Sequence, residues 1–259
     1  MYSFNNIFYL CSHIKFIIHK EIIMKNLKIV ILAAIIALPK SVFGIVGFGL
    51  NFIQDGAKLE GAENIETSDL GSAMVKSFEM ESLPAGLGGY VFLDFAGWAF
   101  EFEANVVGGE YDFEFTQNIA GADGYSLPKT NFGWARGTTA ITIKKNIADF
   151  SIPLLAKTAL SVGVGTSNHK STPRASVSMV KELIGDDIIT ADASQLEDKL
   201  ITYLEDNLIE GSGFHGQLGL RFKILIFDSH LNLRYNIADN VYDGSESYTE
   251  IQLKLGMGF

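Results

Sequence analysis

The stretch that most limits what this chain can fold into is its last twelve residues, YTEIQLKLGMGF. Ile251, Leu253, Leu255, Met257 and Phe259 alternate strictly with Gln252, Lys254, Gly256 and Gly258. A helix would scatter these side chains around its axis. A strand puts them on two faces, one apolar and one polar or minute. The same period of two recurs near 45–53, 84–94, 98–116, 131–144, 150–168, 211–226 and 230–240, which with 247–259 makes eight candidate strands. In 211–226, Leu218, Leu220, Phe222 and Ile224 oppose Gln217, Arg221 and Lys223. In 230–240, Leu231, Leu233, Tyr235 and Ile237 oppose Asn232, Arg234 and Asn236. Leu160, Val162 and Val164 alternate with Ser161, Gly163 and Gly165.

The connections sort into two sets. Phe95 to Gly97, Lys145 to Asp149 and Phe227 to Ser229 are short, whereas 54–83, 117–130, 169–210 and 241–246 are longer. Short and long connections in alternation are the plan of an antiparallel transmembrane β-barrel; the loops of a soluble sandwich do not sort in this way. The expected fold is therefore all-β, a barrel of eight strands. Ten strands would require Ser72 to Met80 to form a hairpin with 84–94, with an extra turn near Ser82-Leu83-Pro84. In the third strand Phe100 and Phe102 oppose Glu101 and Glu103, but Tyr111, Phe113 and Phe115 carry the apolar character on the other parity. That predicts a one-residue slip, with Gly108-Gly109 as its bulge.

The other end reads as an export signal. From Met24, MKNLKIVILAAIIALPKSVFG has Lys25 and Lys28 ahead of an apolar run from Ile29 to Leu38, then Gly44 before Ile45. The run is too short to span a membrane as a helix and matches a cleaved secretory signal. The upstream apolar residues from Ile14 to Ile23 are interrupted by His19, Lys20 and Glu21, so residues 1–23 read as an over-long start rather than an anchor. The expected organisation is 1–44 removed and 45–259 a single barrel domain. The one cysteine, Cys11, lies in the removed part, so stability must come from backbone hydrogen bonds and burial rather than disulfides. Without 1–44 the chain loses five lysines and one glutamate from its 20 basic and 30 acidic residues and stands near −14. That charge argues against nucleic acid as a partner.

The export signal and the terminal strand closing on Phe259 together resemble the small outer-membrane β-barrel proteins of Gram-negative bacteria. The resemblance implies residence in the outer membrane among lipid and lipopolysaccharide. It also implies recognition of the strand carrying Ile251, Leu253, Leu255, Met257 and Phe259 by the barrel-assembly machinery. Members of this class act as structural anchors, adhesins or narrow transport proteins, and no motif here selects a subfamily.

If the apolar face meets lipid, the polar face lines a lumen. It carries Asp94, Glu101 and Glu103, and against them Arg136, Lys144, Lys157, Arg221, Lys223, Arg234 and Lys254. An eight-stranded barrel is just wide enough for side chains to fill it. Opposite charges held there are expected to pair, because an unpaired buried charge costs several kcal/mol. A salt-bridged plug is the expectation, and a narrow polar channel is the alternative. Alternate glycines at Gly47, Gly49, Gly163 and Gly165 are expected to thin the lumen face where bulky side chains arrive from across the barrel. Trp98, Tyr90 and Phe95 near one end and Trp134 and Tyr125 near the other are placed as interfacial aromatic girdles.

The loop 178–210 reads as helical. Ser194-Gln195-Leu196-Glu197 matches a capping box, Leu196, Leu200, Tyr203, Leu204 and Leu208 recur at helical spacing, and Gly211 closes the segment. A shorter turn is expected over Met179 to Ile184, ending at Gly185. Such a stripe packs over the barrel mouth or against the long first loop, or else serves as a lid or a docking surface. Catalytic patterns are lacking. His215 and His230 share the inward parity but are placed about 30 Å apart along the barrel. His169 falls in a loop beside Ser167 and Ser171. No HExxH or metal-ligand spacing occurs. The sequence is therefore read as a non-enzyme without cofactor or metal.

Overall fold

The computed structural model describes residues 45–69, 71–121, 124–152, 156–184, 193–242 and 245–259. The export-signal reading of 1–44 and the helix end at Gly185 lie outside these residues. Ten strands and two helices follow in the order β1 (Ile45–Asp55), β2 (Ala62–Ser68), β3 (Gly71–Ser77), β4 (Ala85–Phe95), β5 (Trp98–Ile119), β6 (Tyr125–Ile152), β7 (Ala156–Ser171), α1 (Val177–Ile184), α2 (Ala193–Asp206), β8 (Ile209–Ile224), β9 (Phe227–Tyr242) and β10 (Ser245–Gly258).

Eight of the strands close a ring. β1 pairs with β4, β4 with β5, β5 with β6 and so on to β10, which pairs back onto β1, antiparallel throughout. From Ile45 the register steps across Asp94, Ala99, Lys144, Gly163, Gln217, Arg234 and Glu250 and returns to β1 at Asp55, about ten residues higher. Such a stagger tilts eight strands by roughly 40°. The other two strands, β2 and β3, form a hairpin outside the ring. β3 pairs with Phe113–Ile119 of β5 and not with β4, which is the reason a ten-stranded barrel does not arise.

The turns lie where local backbone chemistry permits them. Ala96 and Gly97, both with positive φ, make the two-residue turn joining β4 and β5. The β8–β9 turn is Leu225-Ile226, two residues before the expected position. β6 runs on to Ile152 with an irregularity at Asn146/Ala148, so its turn is not at 145–149. The start of β1 and the C-terminus share this end, where Phe259 and Val46 exchange backbone hydrogen bonds at 2.9 and 3.1 Å. At the other end β5 and β6 continue far above their neighbours, through most of the expected 117–130 loop.

The exposed large side chains form a belt. Phe48, Leu50, Phe52, Leu93, Phe100, Ile141, Ile143, Val162, Leu218, Phe222, Leu231, Leu233, Ile251, Leu253 and Leu255 all point outward, while the residues between them are buried. On β5 this face stays apolar or small from Trp98 to Val106. That is about 20 Å of height at ~3.3 Å per residue on a tilted strand, close to the ~25 Å apolar band of a transmembrane barrel. Above Gly108 the same face carries Glu110, Asp112 and Glu114. There the Lys129 ammonium, 3.0 Å from Asp112, hydrogen-bonds that carboxyl and holds it below its usual range. One strand face thus crosses from lipid to water.

The expected bulge at Gly108-Gly109 is not present. β5 keeps an unbroken register on β6 from Trp98 to Phe113, and the one shift falls between Phe113 and Phe115. Tyr111, Phe113 and Phe115 lie on the same inward face as Glu101 and Glu103. Above the membrane the surroundings are reversed, so the inside becomes a soluble-type apolar core and the outside is wet. The glycines serve a different purpose. β5 changes neighbour there from β4 to β3, and a Cβ on Gly109 would lie 3.1 Å from the Met80 sulfur on the connecting chain.

This upper core joins Ile53, Val75, Met80, Val107, Tyr111, Phe113, Phe115 and Trp134 to Val177, Met179, Val180, Tyr203 and Leu204 of the helices. Ser176 caps α1 by accepting the Met179 amide at 3.2 Å, and Asn64 on β2 accepts the Val177 amide at 3.0 Å. α2 begins at Ala193, so Ser194 lies inside it, not ahead of it, and Gly211 belongs to β8. The Ser194 side chain, and with it the capping box, falls outside the described atoms. The interfacial aromatics are also redistributed. Trp98 and Phe95 are exposed near the short turns, but Tyr90 points into the lumen and Trp134 into the upper core, both nearly fully buried, while Tyr125 packs against that core.

A test follows from the two solvents along β5. Phe102→Arg is expected to weaken folding into lipid vesicles by about 2–4 kcal/mol, the cost of a cation near mid-bilayer. Glu114→Arg, on the same face twelve positions on, is expected to stay within about 0.5 kcal/mol. Urea titrations of vesicle-inserted protein read both, and equal effects would place the membrane boundary wrongly.

Candidate functional site

The polar interior is stacked in three levels. At the top, under the helices, Arg136 is 1% exposed; its guanidinium meets Asp55 at 2.9 and 3.1 Å and Glu250 at 3.6 Å. It also lies 4.8 Å from the ring centre of Tyr248, and Tyr242 donates its hydroxyl to Asp55. In the middle, Lys254 donates to Glu101 at 2.6 Å and Glu103 at 2.8 Å, and Lys144 donates to the other Glu101 oxygen at 2.6 Å. Arg234 donates to Glu103 and, at 2.8 and 3.1 Å, to Gln217. Asn51 and Gln252 add donors to Glu103 at 3.2 and 3.1 Å. Near the short turns, Arg221 clamps Asp228 at 2.9 Å and Asp94 at 2.5 Å and lies over the Phe92 ring.

This arrangement follows from parity and stagger. Every strand of the ring offers alternate residues inward, and the tilt brings residues distant in sequence to one height. Glu103 of β5 therefore meets Arg234 of β9 and Lys254 of β10 across the barrel. Glycine supplies the remaining room. A Cβ on Gly47 would come within 2.3 Å of the Phe92 ring, and one on Gly163 within 2.9 Å of the Lys144 side chain. Gly49 and Gly165 likewise face inward, Gly165 against His215.

Of the sequence-derived lumen set, Asp94, Glu101, Glu103, Arg136, Lys144, Arg221, Arg234 and Lys254 are brought into these ion pairs. Two are not. Lys223 is half-buried at the short-turn mouth and donates to the Gly258 carbonyl at 3.1 Å. Lys157, opposite it on β7, makes no ion pair among the described residues. Asp55, Asp228 and Glu250 complete the network and were not singled out in the sequence. Glu250 is readable as the next polar residue on the β10 face above Gln252. In the sequence Asp55 and Asp228 read as parts of connections.

The histidines are lumen residues as well. His169 is buried in β7, not in a loop, and its ring nitrogens meet Thr138 at 3.0 Å and Ser167 at 2.9 Å. His215 meets Thr142 at 2.9 Å. The β8–β9 register places His215 and His230 six positions apart, about 20 Å rather than 30 Å. No three potential metal ligands cluster among the described residues.

The loop stripe is buried on its own chain. Tyr203 and Leu204 belong to the upper core, Leu200 packs against it, and Leu196 and Leu208 are half-buried. In the terminal strand, Ile251, Leu253, Leu255 and Phe259 are outward and exposed, and Met257 is half-buried.

Arg234→Met is expected to cost about 3–5 kcal/mol, since it leaves Glu103 short of a countercharge. Adding Glu103→Gln is expected to restore more than half of that loss, giving a coupling of at least about 1 kcal/mol. The four-member urea cycle in vesicles measures it, and strict additivity would show the pair to be energetically idle.

No family model and no curated protein matches the sequence. Among solved structures the chain is similar to Ail, the attachment invasion locus protein of Yersinia pestis, in its complex with the heparin analogue sucrose octasulfate. That match has 9% identity and a TM-score of 0.39, over 83% of this chain and 99% of that one. The N-terminal β-barrel domain of Pseudomonas aeruginosa OprF matches at 10% identity and TM-score 0.33, over 83% and 97%. The β domain of the Bordetella autotransporter BrkA matches at 11% and 0.29, over 83% and 100%. These neighbours are Gram-negative outer-membrane β-barrels; what makes this chain a barrel is its own closed register and its two faces.

Proposed function

We propose that the chain is an outer-membrane anchor whose closed barrel holds a folded cap outside the membrane, where the cap binds a surface partner. The paired charge of the lumen carries this reading. Among the described residues, five buried cations (Arg136, Lys144, Arg221, Arg234, Lys254) face six buried carboxylates (Asp55, Asp94, Glu101, Glu103, Asp228, Glu250). A conducting pore leaves charged groups facing water, whereas these are bonded to one another across the barrel axis.

The alternative, a narrow conduit for a small solute gated by the helical loop, meets an energetic objection. Opening it would lift α1 and α2 from a shared core and expose Val177, Met179, Val180, Tyr203 and Leu204. At ~1.5–3 kcal/mol per large side chain, the cost is comparable to the stability of a whole domain. The orientation implied by the short turns puts the start of β1 and the C-terminus in the periplasm and the cap outside. The export signal expected over 24–44, the apolar belt and the terminal strand support outer-membrane residence and passage through the assembly machinery.

Two outcomes check this. The folded protein in a planar bilayer is expected to give no discrete conductance steps; stable steps would overturn the closed-lumen reading. Leu204→Ala is expected to loosen the cap by about 2–4 kcal/mol. Hydrogen exchange should then rise over α1 and α2 and leave the amides of β8 to β10 protected.

A further inference from the structure

Every residue of β2 is exposed, and one edge of the strand has no neighbour, because β2 ends the sheet and pairs only with β3. The hairpin closes with Ser68 opposite Gly71 across two residues, so Ser68, Glu66, Asn64 and Ala62 turn their amides and carbonyls to β3. Glu63, Ile65 and Thr67 turn theirs to the open edge, where no backbone hydrogen bond is made among the described residues. Natural edges are blunted by proline, lysine or a bulge. The other open edge of the cap sheet, β6 above its pairing with β7, carries Pro128 and Lys129 beside a register shift. β2 carries none of the three. We propose that β2 pairs antiparallel with β2 of a second copy standing in a facing membrane. The inference rests on the cap-display reading above and names the partner.

The orientation follows from the direction of the strand. β2 climbs from Ala62, level through Ser77 with Phe113 of β5, to Ser68, level through Gly71 with Ile119, and so runs away from the membrane. An antiparallel partner runs toward it. A copy in the same membrane, turned about the membrane normal, still points its β2 outward and cannot form this ladder. The second copy therefore stands inverted, with its barrel in an opposing bilayer. Ile65 is level through Met74 with Thr116, ten positions beyond Val106 at the top of the apolar face. At ~3.3 Å per residue and a tilt of roughly 40°, the pairing lies about 25 Å above that face, which sets the two apolar belts about 50 Å apart.

The side chains select a second copy as the partner. A ladder centred on Ile65 sets Ile65 against its own copy, Glu63 against Thr67 and Asn64 against Glu66. Its bonded pairs, through Glu63, Ile65 and Thr67, exchange about six backbone hydrogen bonds. No carboxylate meets a carboxylate, and Ile65, 58% exposed in the single chain, gains an apolar neighbour. A shift of two residues toward the hairpin tip sets Glu66 against its own copy and Glu63 against Asp69, so the charges fix the register. One short ladder is weak, but many copies on each of two facing membranes act together.

The test uses the full folded chain in phosphatidylcholine vesicles labelled with either of two dyes and mixed; clusters holding both dyes are counted by microscopy. Wild-type vesicles are expected to cluster with one another and not with bare vesicles. Ile65→Pro removes an amide that β3 does not use, so it spares the hairpin and is expected to cut clustering at least roughly tenfold. Thr67→Glu faces Glu63 of the second copy with a like charge and is expected to do the same. Thr67→Glu/Glu63→Lys is expected to restore clustering, with circular dichroism confirming that each variant is folded. Single wild-type vesicles, clustering with bare vesicles, clustering unchanged by Ile65→Pro, or no recovery in the charge exchange would each overturn the proposal. Bilayer conductance on the same preparation separates the two readings. A silent barrel whose vesicles stay single overturns the self-pairing alone, and a conducting barrel whose vesicles cluster overturns the closed anchor alone.

Discussion

At membrane depth there is no water to complete a backbone hydrogen bond, so every amide and carbonyl of a spanning segment must find its partner in the chain. In this protein that requirement is met by closing β1 onto β10. The pairing runs from Gly47 with Gly258 to Asp55 with Glu250 and removes the last two open edges at membrane depth. The other features of the spanning region follow from it. Closure requires stagger, and stagger tilts the strands. Tilt then decides which inward residues share a level, so Glu103 faces Arg234 and Lys254 instead of its sequence neighbours. The lumen electrostatics are therefore a consequence of hydrogen-bond register. A slip of one residue in β10 would send Gln252 and Lys254 into lipid and bring Ile251 and Leu253 inside.

The second constraint is the change of solvent along β5 and β6. Below Val106 the outside of the sheet is lipid and the inside is polar. Above Glu110 the outside is water and the inside is the core around Tyr111, Phe113 and Phe115. Across the changeover the β5–β6 register is unbroken; the residue types exchange faces while the backbone continues. The changeover falls at Gly108-Gly109, where β5 leaves β4 and takes up β3. The chain is thus a membrane protein and a small soluble α/β layer joined through two shared strands. Arg136 lies at the join, bonded to the lumen carboxylates and stacked beneath tyrosines of the upper core.

Much of this was legible in the sequence, because period-two alternation depends only on how side chains leave a strand. The ring of eight, the outward face of β8 to β10 and eight of the ten lumen charges follow from it. What could not be read was the solvent outside each segment. By alternation alone the apolar parity at Tyr111 reads as lipid-facing, which needs a bulge at Gly108-Gly109 that the β5–β6 register does not contain. Trp134 and Tyr90 were assigned to girdles on aromatic character alone, although Tyr90 pairs in register with Glu103 and must share its inward face. Strand ends failed for a related reason. His169 is in a segment of small polar residues that resembles a loop, yet β7 continues because β6 and β8 on either side supply its hydrogen bonds. Ladder partners are distant in sequence, so no local pattern reports them.

The joining of two solvents on one pair of strands also limits how the molecule can be assembled. The upper core draws on Ile53, Val107 and Trp134, residues carried by spanning strands, as well as on the helices. It also takes Tyr242 of β9 and Tyr248 of β10, so it cannot be completed until those strands face β1, β5 and β6 across the barrel, which the closed ring brings about. The lumen in turn is sealed from above by that core, which keeps water from the Arg136–Asp55–Glu250 level. Each half supplies the environment the other requires: the barrel gives the cap its backbone, and the cap gives the topmost ion pairs the dry surroundings in which they bind strongly.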